Sequence, residues 1–126
     1  QAFSQTGNIS LFIKGIESKV GNIEIGLYHS GESFTVYDRS YQGKTITPSQ
    51  SGVSCTFENI PEGTYAIAVW HDENKDKKID KNWFGIPTEK YGFSLNKFGT
   101  IGPPDFEEVS FKIKPNQTKS LTIQLK

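Results

Sequence analysis

The sequence predicts an all-β protein, a single two-sheet sandwich of about seven strands with one long ordered loop excursion. Three observations carry this prediction. Apolar residues recur at every second position in six separate runs, and the 12 glycines, Gly26 apart, and 6 prolines fall between those runs. No stretch long enough for a three-turn helix keeps a 3.6-residue period.

The first strand covers about residues 7–14, where Ile9, Leu11 and Ile13 alternate with Ser10, Phe12 and Lys14. Gly15 to Gly21 reads as a turn region. In the second strand Ile23, Ile25 and Leu27 oppose Glu24, Gly26 and Tyr28. Gly31 to Gln42 has room for one helical turn, and a further strand is expected near Gly43 to Thr47. Val53, Cys55 and Phe57 repeat the alternation. Pro61-Glu62-Gly63 then supplies a tight turn, because Pro presets φ and Gly accepts a positive φ. A hairpin is expected there. Its return arm, Thr64 to Trp70, has Tyr65, Ile67 and Val69 on one face and Ala66, Ala68 and Trp70 on the other; as the most apolar strand it belongs at the centre of a sheet. Val109, Phe111 and Ile113, then Leu121, Ile123 and Leu125, form a last pair around Pro115-Asn116.

The 126 residues fit one domain, residues 1–126. With 14 basic and 14 acidic side chains, the chain lacks the cationic excess that binding to nucleic acid or to an anionic membrane surface needs. No apolar run approaches the roughly 20 residues of a membrane span. The chain begins at Gln1 and holds no Met, from which an exported mature chain, freed of a signal peptide, is expected, a trimmed expression product being the alternative. The single Cys55 forms no internal disulfide and reads as a small core residue, with no thiol chemistry.

From His71 to Phe106 the alternation stops for 36 residues. Connections of that length are usually functional or disordered. Disordered segments are poor in rings, and this one carries Trp83, Phe84, Tyr91, Phe93, Phe98 and Phe106, so an ordered excursion packed on the sheet edge is expected.

The excursion opens with Asp72, Asn74, Asp76 and Asp80 in a D-x-N-x-D-x-x-x-D spacing. Calcium takes about six to eight oxygens, and a loop with side-chain ligands at alternate positions and one backbone carbonyl, here that of Lys78, can wrap it. Calcium is therefore a candidate cofactor. Against it, Lys77 stands where Gly usually permits the sharp turn, Trp83 where a bidentate Glu belongs, and Lys75, Lys77, Lys78 and Lys81 offset the acids. The alternative is an Asx-rich turn whose side chains bond backbone N–H groups. Glu89, Asp105, Glu107 or Glu108 are candidates to complete the coordination.

The rings that follow, framed by Gly and Pro, suit a concave platform for a small molecule, sugar or protein ligand, with His71, Trp83, Phe84, Tyr91 and Phe93 as candidate contacts. The alternative is a layer that caps the sandwich core. His29 and His71 are the only histidines, and His71 precedes Asp72, which makes an enzyme using His71 with a neighbouring carboxylate the second functional reading. No nucleophile elbow, zinc-helix motif or phosphate loop accompanies them. Glu107 and Glu108, if on a strand, point to opposite faces, the wrong geometry for a carboxylate dyad. The first reading is thus a non-catalytic binding or interaction module; the third is a structural domain of the cell envelope.

Val69-Trp70-His71-Asp72-Glu73-Asn74, Asp80-Lys81-Asn82-Trp83-Phe84-Gly85-Ile86-Pro87, Tyr91-Gly92-Phe93-Ser94 and Gly102-Pro103-Pro104-Asp105-Phe106 together resemble a bacterial family known as domain of unknown function 2141. The resemblance covers nearly the whole chain. It implies an exported one-domain β protein with no established activity. Where members tend to carry Gly and Asn, this chain has Lys75, Asp76 and Lys77, so its loop is more charged and less turn-prone. The turn Ile60-Pro61-Glu62-Gly63-Thr64-Tyr65 also resembles the L-P-x-G-x-Y turn of transthyretin-like, or prealbumin-like, sandwiches, which implies a sandwich of that or the immunoglobulin-like kind and no particular function.

Overall fold

The computed structural model describes residues 5–36, 39–75, 89–99 and 103–126. Its strands are β1 (Thr6–Lys14), β2 (Asn22–Tyr28), β3 (Gln42–Ile46), β4 (Val53–Pro61), β5 (Gly63–Asp72), β6 (Tyr91–Phe93), β7 (Phe111–Ile113) and β8 (Thr118–Gln124), with a 3-10 turn at Ser94–Asn96 and an α-helical turn, α1 (Phe106–Val109). They form two sheets. The smaller has the order β4-β1-β8, with β8 parallel to β1; the larger has the order β3-β2-β5-β6, with β7 also on β5. The most apolar strand, β5, is central, as its sequence requires.

Alternation explains how the sheets meet. Ile9, Leu11 and Ile13 of β1, Ile23, Ile25 and Leu27 of β2, Phe57 and Ile60 of β4, and Ile67 and Val69 of β5 form one cluster with Ile113 and Ile123. Burying one such side chain contributes about 1.5–3 kcal/mol, so this layer holds the sheets together. Along β4 the buried positions run Val53, Phe57, Ile60, so the period of two slips once. The slip is a bulge: Ile9 pairs with Phe57 but Gly7 with Ile60, and Asn59 takes a φ of 56° while its N–H donates to Asn8 Oδ1 at 3.0 Å.

Two expected hairpins are sheet-to-sheet corners instead. β4 pairs with β1 and β5 with β2, so Pro61-Glu62-Gly63 carries the chain across the sandwich; the Tyr65 hydroxyl closes the corner by donating to the Pro61 carbonyl at 2.6 Å. β7 joins β5 and β8 joins β1, so the turn at Asn116, φ 62°, is a second corner. The physical reason is shared: both arms of each turn carry an apolar face, and both faces reach one core only from opposite sheets. Val109 ends α1 and not a strand, because the Asp105 N–H donates to Glu108 Oε1 at 3.0 Å and starts a helical turn. β6 escapes sequence detection because three residues are too few to show alternation.

Burial raises the pKa of the Cys55 thiol, with the Lys44 charge opposing it; burial, then the neighbouring Tyr41, raises that of the Tyr65 phenol. For an acid whose folded pKa is raised, the unfolded chain loses its proton first as pH climbs, so stability present below the ordinary pKa is lost above it. The melting temperature is therefore expected to fall from about pH 8.5 upward, where an ordinary thiol ionises. The decline should be smaller in Cys55→Ala, a comparison thermal melts between neutral and alkaline pH decide.

Candidate functional site

A sandwich strand has a second face, and in the larger sheet that face is also covered. Glu24, Gly26 and Tyr28 of β2, and Ala66, Ala68, Trp70 and Asp72 of β5, point away from the inter-sheet core, and all are buried. What covers them is loop. Phe34, from the β2–β3 connection, meets Tyr28 edge-on at 5.5 Å between ring centroids and lies 5.9 Å from both Phe93 and Phe106. Together with Ala66, Ala68, Phe93 and Val109 these rings make a second apolar cluster.

The roof is pinned by polar contacts. β6 pairs with β5 on one side; on the other, the Tyr91 and Lys126 backbones exchange hydrogen bonds of 3.2 and 3.0 Å. Asn96, in the helical turn after β6, donates to the Thr122 carbonyl at 3.0 Å and accepts from the Gln124 N–H at 2.9 Å. The described part of the excursion is thus clipped to both sheets, and the segments 76–88 and 100–102 lie outside the described residues.

Beside the second cluster is a pocket of about 210 Å³, lined by Glu24, Gly26, Tyr28, Ser40, Thr45 and Trp70 together with Ile25, Gly43 and Lys44. Gly26 and Gly43 pair across β2 and β3 and leave its floor open. A Cβ at Gly26 would stand 2.7 Å from the Tyr28 ring, so only glycine fits there. Glu24 is 2% exposed; its Oε1 accepts from the Thr45 hydroxyl at 2.8 Å, and its Oε2 has no hydrogen-bond partner among the described residues. Lys44 gives it no counter-charge, because Nζ sits over the Phe57 ring, 5.2 Å from its centroid, on the inter-sheet side. A more open groove of about 510 Å³ lies between the loops, with Phe34, Pro103, Pro104 and Phe106 for walls and Glu32, Asp105 and Glu107 among its lining residues.

The profile of a family described as an uncharacterized protein conserved in bacteria, DUF2141, matches residues 12–121. The chain belongs to that family. No curated protein and no solved structure matches it.

In this DUF2141 chain the residues singled out by sequence fall in three groups. His71, Asp72, Asn74 and Glu89 lie together where β5 ends. The His71 ring is 3% exposed and Nε2 bonds the Val20 carbonyl at 2.6 Å; Asp72 is fully buried, Asn74 is exposed, and Glu89 accepts from the Glu73 N–H at 2.9 Å. Tyr91, half-buried, and Phe93, 1% exposed, stack edge-on at 5.5 Å inside the roof, while Asp105, Glu107 and Glu108 belong to the α1 loop. Asp76, Lys78, Asp80, Trp83 and Phe84 lie outside the described residues. Among the described residues, no three His, Cys, Asp or Glu side chains group to hold a metal.

Sequence reasoning passed over Glu24, which sat on what read as the wetted face of β2. The overlooked signal was its neighbours: Gly26, Ala66, Ala68 and Trp70 are not solvent-facing choices, and a strand apolar on both sides is covered on both sides.

Proposed function

We propose that this chain is a non-catalytic binding module whose working surface is the loop-covered outer face of the larger sheet. One observation carries the reading: the described parts of the loops that roof this face do not fill it, leaving a pocket over β2 and β3 and a groove between loops 31–35 and 103–107. Concave sites with apolar walls and few polar groups are the usual form of small-ligand sites. His71, with its ring buried and Nε2 engaged by a backbone carbonyl, supports the binding reading over the catalytic one. Export to the bacterial envelope, drawn from the family resemblance, stays with this proposal. So does calcium, which rests on the oxygen spacing of Asp72, Asn74, Asp76 and Asp80 alone.

A fragment screen followed by backbone amide NMR tests the module. Saturable shifts are expected at Glu24, Thr45 and Gly43, or at Phe34 and Phe106, and shifts scattered over the small sheet would remove the reading. For the ion, thermal melts in millimolar calcium and in chelator decide: a native-state site raises the melting temperature by mass action, and coincident curves strike calcium from the proposal.

A further inference from the structure

A carboxylate buried without a counter-charge is expensive, and proteins keep one where something is meant to meet it. Among the described residues, Glu24 is such a group. It is anchored by one hydrogen bond, from Thr45 Oγ1, and its second oxygen is free at the edge of a pocket. No rigid contact on that oxygen has to break when it turns toward a ligand.

Resting on the binding-module reading, we propose that the Glu24 pocket takes a compact organic ammonium ion. A metal ion fits poorly, since Glu24 is the only carboxylate among the described residues of the lining and hard cations collect several oxygens. A neutral hydroxyl would supply a hydrogen bond but leave the charge uncompensated. An ammonium supplies both, and Trp70 and Tyr28 stand in the lining, aromatic side chains of the type that attract such cations. The volume of about 210 Å³ holds roughly seven water-sized groups, enough for an alkylammonium head and a short stem. The source is a free amine or a lysine side chain of a partner protein.

The test is amide NMR of the full chain titrated with propylammonium chloride, with 1-propanol and methyl glucoside as neutral probes and sodium chloride at matched ionic strength. Propylammonium is expected to shift Glu24, Gly43, Thr45 and the Trp70 indole saturably, and 1-propanol is not. In Glu24→Gln, where Oε1 still accepts from Thr45, binding is expected to weaken about tenfold or more, with the melting temperature unchanged or raised because the buried charge is gone. Should Glu24→Gln not fold, Gly43→Ala serves: its Cβ meets Ser40 Oγ at 3.4 Å, so the backbone is tolerated while the pocket narrows, and affinity should drop. Tighter binding of Nα-acetyl-lysinamide than of propylammonium assigns the amine to a protein side chain; the reverse assigns it to a free amine. Equal affinity in Glu24→Gln, or equal shifts from 1-propanol, overturns the proposal. Methyl glucoside binding here without propylammonium overturns the ammonium and keeps the binding module, whereas silence from every probe in both concavities overturns both.

Discussion

Phe57→Ala is expected to lower stability by about 3–5 kcal/mol, the usual cost of removing a buried ring. Phe57 is fully buried on β4, in the layer shared by both sheets, and the Lys44 ammonium of β3 rests over its face. Truncation removes the ring's contacts with the facing sheet and the cation–π contact together, and the fixed spacing of two sheets keeps the hole from closing. For a chain of this length the melting temperature should drop by about 10–20 °C. Phe12→Ala calibrates the result: that ring lies on the outward face of β1, 37% exposed, and its loss should cost about 1 kcal/mol or less. If Phe57→Ala melted within a few degrees of the parent, the sheets would not share this core.

Phe57 was legible from alternation alone, as were β1, β2, β5 and β8, because each sends apolar side chains into the inter-sheet core at a period of two. The path between the sheets was not. A Pro-x-Gly turn between two apolar strands reads the same whether the strands pair with each other or face each other across a core; what separates the cases is which neighbours complete each ladder, and β1 claims β4 from the middle of the sequence and β8 from near its end. In the described part of the excursion, packing was signalled by its rings, of which Phe93 belongs to the second cluster and Phe98 and Phe106 pack against it. The Glu24 pocket stayed hidden because it is made by strands and by Ser40, from a connection whose sequence has no period, rather than by the acidic run at 72–80 that drew the metal argument. A lone Glu in an alternating strand carries no local mark of being roofed. That information lies in the alanines and glycine of the neighbouring positions.

Ser94→Ala is expected to loosen the roof while leaving the sandwich formed. On the edge of β5 that does not face β2, β7 pairs with Gly63 to Tyr65 and β6 with Ala68 to Trp70, and Ile67 falls in the gap. Ser94, fully buried, fills it: Oγ accepts from the Ile67 N–H at 3.1 Å and donates to the Val109 carbonyl at 2.5 Å. One hydroxyl thus satisfies the central strand and ties the segment after β6 to the segment before β7. Alanine strands a buried donor and a buried acceptor, each costing about 1–3 kcal/mol, so a total loss of about 2–5 kcal/mol is expected. Where the loss is read separates this variant from Phe57→Ala. Hydrogen exchange should speed at the Ile67 amide and through β6, with β1 and β8 still protected, because the roof can lift without separating the sheets. Since the roof also shapes the concavities over the larger sheet, probe binding there should weaken although Ser94 lines neither of them. An Ile67 amide that kept its full protection in Ser94→Ala would mean that the rings of the second cluster, and not this hydroxyl, hold the excursion down.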